Sequence, residues 1–555
     1  MKLKTSFFNT AALRKNLTRF APAWGLYGLA LVLIVLNISD QAGIIFARMM
    51  GYSISTMAVV NFCYALLCAQ LLLGDLYNSR MCNALHAMPM RREGWFLTNV
   101  VSGLLFSLIP NTVVALLGIT LSGELWMFPL LWLGAVTMQF LFFFGVAVFS
   151  GYLVGNRVAL ALVYYILNGF SPILYLLIQS IFEPMLYGVT VQREWFVEFC
   201  PVEKMIDTVY LAVFDVIDTP GQWPWEFIDG WGYMGICAGI GVVALGVALL
   251  CYRKRNLEAA GDFAATKPVG IAFLILYTIC GGACCHSFFS LFLGDENEWL
   301  LYLGLAIGFF TGLMLLKRTV RVFKPKTFLG FGAVVLAMVL SVIVVRTDLL
   351  GIVRWMPKAE QIRSVSITTN RVSDKRLTLT EAEDLEKILQ IHRYGLENRN
   401  AGSDSKRDTR VTLTYTLRSG AVRQREYYVN VDTPCGDMLR FYLSRPEMVL
   451  GDVYGKLDEF TLQGVELPDG KAFIVSAEAL RALMDAIEAD CAGGDLAQDW
   501  AYTEPYGDQY WINLQFVNQD GLHYYNDIVF TQVSTNLMMW YRTQLENLES
   551  AQIVE

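Results

Sequence analysis

The sequence predicts an all-α polytopic membrane domain of about nine transmembrane helices, followed by an α+β extracytoplasmic domain of two tandem repeats. Three observations predict this fold class. Long apolar runs recur up to residue 346, the remainder is acidic and more polar, and similar patterns occur twice in that remainder at an offset of roughly 100 residues. With 55% hydrophobic and only 17% charged residues, the composition is typical of a chain with a large membrane part.

The predicted crossings are long apolar runs. A helix that crosses a bilayer needs about 20 consecutive, mainly apolar residues. Nine runs satisfy this: 21–38, 55–74, 96–120, 126–150, 157–181, 232–252, 270–290, 299–316 and 327–346. Ahead of them, Asn9–Phe20 places Leu13 and Leu17 on one face and its basic residues mostly off it. This pattern predicts a helix that lies in the headgroup plane.

The distribution of Lys and Arg predicts the orientation. With a cytoplasmic N-terminus, the inside connections carry 18 of these residues and the outside connections carry 3, as the positive-inside rule requires. An odd number of crossings then places residues 350–555 outside. Basic residues exceed acidic ones by 3 up to residue 350, and acidic residues exceed basic ones by 10 beyond it. This balance favours a soluble outer part.

The predicted domains follow from these patterns. They are a six-span core with an N-terminal interfacial helix (1–260), three additional transmembrane helices (261–349), a first α+β repeat (350–449) and a second (450–555). The corresponding elements of the repeats are helices Thr380–Arg393 and Ser476–Ala489, hairpins that turn at Ser419–Gly420 and Asp520–Gly521, and closing helices near Cys435–Leu443 and Asn536–Leu548. Thr380 and Glu383 fit a capping box.

The eleven cysteines have neither metal-site nor disulfide-framework spacing. Most lie in apolar runs, where they are expected to pack as small apolar residues. Cys435 and Cys491 are the two in the outer part. The sequence leaves open whether they form a disulfide or remain free thiols.

The connection between the second and third runs carries the strongest functional pattern. Ser79–His86 predicts a short helix at the cytoplasmic surface, which Pro89 ends because proline lacks an N–H and disfavours helix in the preceding residue. Arg91 and Arg92 follow directly before the third run. The segment resembles the coupling helix of type 2 ABC exporter permeases, in which a leucine, a proline and a basic residue precede the third span. That resemblance implies contact with an ATPase subunit through Asn83, Leu85, His86, Met88, Pro89, Arg91 and Arg92.

The resemblance covers about residues 1–260 and includes the amphipathic start, the aromatic-rich outside connection 182–231 and the stretch Tyr252–Gly261. The rest is similar to the additional spans and outer domain of a Gram-positive subset of these permeases. This resemblance implies a bacterial plasma-membrane protein that exports an amphipathic compound such as an antimicrobial peptide. The implied partners are ATPase subunits that hold ATP and magnesium, a second permease half, identical or homologous, and membrane lipid, but no nucleic acid. Gly235 and Gly239 form a small-x-x-x-small pair that we expect to pack within the chain.

Several activities are not expected. No phosphate-binding loop G-x-x-x-x-G-K-[ST] occurs, so we expect no ATP hydrolysis by the chain itself. The four histidines lie in different segments without a Cys or carboxylate at ligand spacing, so we expect no enzyme activity, no catalytic residues and no cofactor or metal in the chain. The predicted spans carry neutral polar residues where ion-driven carriers keep ionisable ones. These are Asn61, Gln70, Asn111, Gln139 and Asn168. The alternative is a membrane-anchored sensor or binding protein that acts through its outer domain. A membrane enzyme for a lipid or wall precursor would need a polar catalytic cluster that the sequence does not show.

Overall fold

The computed structural model describes residues 8–38, 44–87, 91–208, 230–255, 260–293, 299–369, 376–398, 408–430, 432–450, 460–467, 472–473, 477–496, 510–518 and 523–552. The chain divides into two compact units. Met1–Ile181 and Gln192–Leu340 form the first, which we call the helical unit. Phe182–Val191 and Ser341–Glu555 form the second, which we call the sheet unit.

Thirteen described α-helices begin in the helical unit. They are α1 (Thr10–Arg19), α2 (Ala21–Ile38), α3 (Ile44–Leu73), α4 (Ser79–His86), α5 (Arg92–Leu121), α6 (Met127–Leu153), α7 (Arg157–Leu177), α8 (Arg193–Glu198), α9 (Pro201–Thr208), α10 (Trp231–Lys254), α11 (Lys267–Leu293), α12 (Trp299–Lys317) and α13 (Pro325–Arg346). Among the described residues, eight helices are long and apolar enough to cross a membrane. A ninth results if α1 and α2, which meet at 61°, count as one broken span.

The eight helices match eight of the nine predicted runs to within a few residues, and α2 coincides with the ninth. Polar contacts determine the direction of α2 relative to α5. The Asn16 side chain in α1 donates to Asn99 Oδ1 near the start of α5 (3.1 Å), and the Tyr27 hydroxyl in α2 donates to Asn111 Oδ1 further along α5 (3.0 Å). The helix α2 therefore runs beside α5 in the same direction.

Neutral polar side chains join helices inside the unit. Gln139 in α6 accepts from the Asn61 amide in α3 (3.1 Å) and donates to the Ile54 carbonyl (3.1 Å). Both side chains are fully buried. Hydrogen bonds of this kind hold helices together where no water competes.

The helices α6 and α10 cross at two glycines. A Cβ on Gly145 would lie 2.3 Å from the Gly241 carbonyl oxygen, and a Cβ on Gly241 would lie 2.5 Å from the Leu141 carbonyl oxygen. The expectation for Gly235 and Gly239 was wrong, because a Cβ at either position would meet no described atom within 4 Å. The spacing of small residues alone does not show which face of a helix is packed.

The sheet unit contains two four-stranded antiparallel sheets. Its elements are β1 (Ile362–Thr369), β2 (Leu377–Leu379), α14 (Ala382–Glu397), β3 (Asp408–Leu417), β4 (Val422–Asn430), α15 (Pro434–Leu443), α16 (Pro446–Val449), β5 (Phe460–Glu466), β6 (Ala472–Phe473), α17 (Ala477–Gly493), β7 (Tyr510–Asn518), β8 (His523–Phe530) and α18 (Thr535–Gln552). The strand orders are β2-β1-β3-β4 and β6-β5-β7-β8. In each sheet, one helix follows the second strand and another follows the fourth.

The predicted hairpins are confirmed. Val411, Leu413 and Tyr415 are fully buried while the threonines between them are partly exposed, because alternate residues of a strand face opposite sides. The first turn contains Gly420 at φ +85°. The second predicted turn, Asp520–Gly521, lies outside the described residues, as does Ser476.

The predicted capping box was wrong. The N-cap of α14 is Glu381, whose carbonyl accepts the first helical bond from Leu385 N (3.0 Å), and no side chain caps it. Thr380 precedes the cap by one residue, and Glu383 instead pairs with Lys387 one turn later (2.8 Å).

The two cysteines of the sheet unit are free thiols. Cys435 packs against the core of the first sheet, whereas Cys491 is buried in the core of the second. A disulfide between them does not form in this structure.

Candidate functional site

The predicted coupling segment forms a short helix with most of its described side chains exposed. Asn78 begins α4, since its Oδ1 accepts from the backbone N–H of Arg80 (3.0 Å) and of Met81 (3.5 Å). Cys82 is buried at 3% exposure, and this burial raises the pKa of its thiol. Met81 and the predicted Asn83 are exposed. One buried side chain thus anchors a helix whose other described residues face away from the bundle.

The remaining predicted site residues are placed unequally. Leu85 and His86 lie in the last turn of α4, but their side chains are outside the described part of the chain. Met88 and Pro89 also lie outside it. Arg91 is the exposed N-cap residue of α5.

Arg92 has a different role from the exposed residues. Its guanidinium Nη1 donates to three carbonyls at the end of α10, those of Tyr252 (3.4 Å), Arg253 (3.2 Å) and Arg255 (3.2 Å). The neighbouring Glu93 pairs with the Arg253 guanidinium (3.1 Å). Since the last carbonyls of a helix lack helical partners and carry partial negative charge, Arg92 caps α10 and joins it to the start of α5.

A second guanidinium caps a second helix. The Nη1 of the buried Arg255 donates to the carbonyls of Gly151 (3.3 Å) and Tyr152 (3.4 Å) near the end of α6. The Tyr77 hydroxyl, directly before α4, donates to the same Gly151 carbonyl (3.1 Å). The chain that leads into α4 is therefore attached to the end of α6.

The connection after α10 continues this surface. The Gly261 N–H donates to the Gly155 carbonyl (2.8 Å), and the Ala265 N–H donates to the Leu153 carbonyl (2.9 Å). We call the described residues of 74–92, 153–157 and 253–266 the connection surface. The capping roles of Arg92 and Arg255 are not evident from the sequence, in which the available signal is an arginine next to each apolar run.

A second feature lies in the sheet unit. The segment Phe182–Val191, which we call the edge segment, contacts the β4 edge of the first sheet. Gly188 O accepts from the Glu426 N–H (3.1 Å), and Val189 forms an antiparallel bridge with Arg425 in β4. The Tyr187 hydroxyl donates to the Asn398 carbonyl (3.3 Å). These contacts extend the edge of the sheet by a short piece of chain that is distant in sequence.

Gly188 allows this contact. Its φ is +73°, and an added Cβ would lie 2.3 Å from the ring of Tyr427. Any other residue would be strained in its backbone and would displace a buried aromatic ring.

Beneath the edge segment lies a buried polar cluster. His392 Nδ1 is 2.9 Å from the Tyr415 hydroxyl, and burial together with the nearby Arg425 charge lowers the pKa of His392 to about 4. Arg425 donates to the Ile352 carbonyl (2.6 Å), and burial lowers the pKa of its guanidinium. The imidazole is therefore neutral at physiological pH and supports the core.

The described part of the chain holds no group of three or more His, Cys, Asp or Glu residues placed to bind a metal ion. No family model, curated protein or solved structure matches the chain. The class that the fold defines is a mostly helical protein, compatible with a multi-pass membrane location, that carries a sheet-containing C-terminal region.

Proposed function

We propose that the chain is the permease subunit of an ATP-driven exporter of the type 2 ABC class. The attachment of α4 carries the proposal. This helix follows the second crossing, exposes Met81 and Asn83, and is held by Cys82. Through Tyr77 and Arg92, the chain on either side of it is bonded to the ends of α6 and α10. A force on α4 would therefore reach four helices (α3, α5, α6 and α10).

The proposed topology has a cytoplasmic N-terminus and an extracytoplasmic sheet unit in a bacterial plasma membrane. The course of α2 beside α5 supports a ninth crossing, and α1 is proposed to lie at the cytoplasmic interface. A membrane-impermeant thiol reagent applied to intact cells tests this with two exposed positions, Ser419→Cys and Asn83→Cys. Ser419→Cys should react at once and Asn83→Cys only after lysis. The reverse order would overturn the topology.

The proposed partners are ATPase subunits that bind ATP and magnesium, a second permease half and membrane lipid. ATP-driven closure of the ATPase pair would move α4, and the bonded helix ends would pass that motion to the bundle. An amphipathic compound is the proposed substrate class, carried over from the resemblance alone.

A matched pair of variants tests the coupling site. Met81 in α4 is 41% exposed, and Val320, in the connection after α12, is 74% exposed and is proposed to face the same side. Burying a new carboxylate in a protein groove is unfavourable. Met81→Asp should weaken co-purification of the ATPase at least roughly tenfold, about 1.4 kcal/mol, and lower transport. Val320→Asp should leave both unchanged. Equal effects of the two variants would refute the assignment.

The two sheets support a proposed tandem duplication, because they share strand order and helix placement.

The edge segment favours the alternative function, a sensor or binding protein. It follows α7 after the helical turn Ile178–Phe182, so ligand binding to the first sheet would act on the chain that leaves that helix. An ATPase that co-purifies with the chain supports the exporter, and its absence under conditions that preserve membrane complexes supports the sensor.

A further inference from the structure

A basic cavity lies in the helical unit where α11 begins and α12 ends. Its volume is about 560 Å³. Three cations line it, Lys267, Lys317 and Arg318, against a single acidic residue, Asp262. In the described part of the chain, none of the three cations forms an ion pair within 4 Å. The cavity therefore has an excess of positive charge.

Arg318 is held in this cavity by an unusual backbone. It lies directly after α12 with φ +52°, a left-handed conformation that glycine adopts more readily at the end of a helix. The following Thr319 N–H donates to the Met314 carbonyl (3.2 Å), which completes the helix-ending motif. Arg318 Nη1 donates to the Gly261 carbonyl (2.7 Å). The side chain thus holds the loop that forms one wall of the cavity.

One side of the cavity is apolar and continues along α11. Ile271 and Leu316 line it. Ile271 is 61% exposed, and Ile275, one turn further along the same helix, is 53% exposed. The charged part of the cavity therefore adjoins an exposed apolar strip on a helix of membrane-span length.

We propose that this cavity binds the phosphate group of an anionic phospholipid, with an acyl chain along Ile271 and Ile275. Basic pockets between the ends of transmembrane helices suit such headgroups. The N-terminus of α11, with its partial positive charge, faces the same cavity and favours an anion further. A free phosphate would use the charged part alone, whereas a lipid uses the apolar strip as well. This inference needs a membrane location and does not depend on the exporter proposal.

The test uses the purified full-length chain and a matched pair of double variants. Lys317→Gln with Arg318→Gln removes two cations from the cavity, and Arg321→Gln with Lys326→Gln removes two exposed cations nearby that do not line it. Each protein is titrated in nanodiscs of phosphatidylcholine with increasing phosphatidylglycerol, and bound lipid is counted by native mass spectrometry. Inorganic phosphate is the competitor. Lys267→Gln, which keeps the Arg318–Gly261 bond, serves as a second cavity variant.

The expected result is retention of phosphatidylglycerol by the wild type and the control, and about 30-fold weaker retention by the cavity double variant. Lys267→Gln removes one cation and should give a smaller loss of retention. This variant keeps the proposal testable if the double variant does not fold. Equal retention by all four proteins would overturn the proposal. Binding of inorganic phosphate without retention of lipid would assign the cavity to free phosphate and would also overturn the proposal.

Discussion

At the scale of single residues, arginines in the connections hold helix ends together. Arg92 and Arg255 each donate to backbone carbonyls at the end of another helix. These carbonyls lie at the ends of their helices, where the regular helical bonds stop, although the Tyr252 carbonyl also accepts from the Arg255 N–H (3.3 Å). A guanidinium nitrogen can reach several of them at once because it carries two N–H groups, and one N–H can be shared between two carbonyls. We therefore assign Arg92 to positioning the connection surface.

Replacing Arg92 with Gln should destabilise the helical unit by about 1–3 kcal/mol, because a charged hydrogen-bond donor to three carbonyls is lost. The measurement is thermal unfolding of the detergent-solubilised chain. Arg80→Gln removes the same charge from an exposed position in α4 and should have a clearly smaller effect. Similar losses in the two variants would show that charge near the membrane, and not capping, is what matters.

His392 makes the sheet unit sensitive to pH. In the folded unit, burial and the nearby Arg425 charge lower the pKa of this imidazole to about 4, against an ordinary 6.5. Between these values the unfolded chain binds a proton and the folded chain does not, so stability falls as pH falls from 6.5 and levels off below about 4. The loss amounts to roughly 3 kcal/mol.

Denaturant unfolding of the sheet unit at pH 7.5 and pH 4.5 measures this loss. His392→Asn places a side-chain amide near the position of Nδ1, within reach of Tyr415, and this amide does not titrate. The stability of the variant should therefore vary less between the two pH values. An unchanged pH dependence in the variant would assign the acid sensitivity to other groups.

At the scale of elements, the open edge of the first sheet is covered. An exposed edge strand offers unpaired N–H and C=O groups to any other strand. Here the edge segment pairs with β4 through Gly188 and Val189. The second sheet has β8 at the corresponding position. The pairing of Gly188 and Val189 with β4 thus joins the chain that leaves α7 to the first sheet.

Gly188→Ala should detach the edge segment. The new Cβ would meet Tyr427, and the left-handed backbone adds strain. Hydrogen exchange at the Glu426 amide, which donates to Gly188, should speed up by at least about tenfold, the equivalent of about 1.4 kcal/mol.

The control is Gly420→Ala in the β3–β4 turn. Its φ of +85° gives the same backbone strain, but a Cβ there meets nothing within 4 Å. Exchange at Glu426 should stay near the wild-type rate in this variant. Faster exchange in both variants would mean that strain anywhere in the hairpin opens the edge.

At the scale of the whole molecule, the sheet unit has its own cores and its own internal bonds. Each sheet packs a separate apolar cluster. Arg440 after the first sheet pairs with Asp495 (2.5 Å) and donates to the Gly494 carbonyl (2.7 Å) beside the second. We therefore expect the two sheets to fold as one unit when they are separated from the helices.

Residues 350–555 expressed alone should therefore be soluble and unfold cooperatively. Fusing Phe182–Val191 to the fragment through a flexible linker should raise its melting temperature by several degrees, since the edge of β4 is then covered. The same fusion with Gly188→Ala should lose that gain. A fragment that aggregates in all three forms would show that the unit needs the helices.

Local patterns explain what was predictable. The hairpin at Gly420 follows from alternation over a few residues, and the crossing helices follow from apolar runs, because both signals lie within the element that they specify. The capping box at Thr380 failed because the helix begins one residue later, with Glu381 as its N-cap and no side-chain cap, and the local pattern did not fix this start. The exposed helix α4 was predicted, but the capping role of Arg92 was not.

The sequence by itself determined the number and order of the long apolar helices, the two hairpins of the sheet unit and its acidic composition, but not the strands β1, β2, β5 and β6. Only the tertiary structure decided which helix end Arg92 caps, 160 residues away, and that Tyr187 contacts Asn398, 211 residues away. It also brought Lys267 and Lys317 to one cavity. The physical reason is that composition and periodicity act within an element, whereas contacts between distant residues depend on how the elements pack.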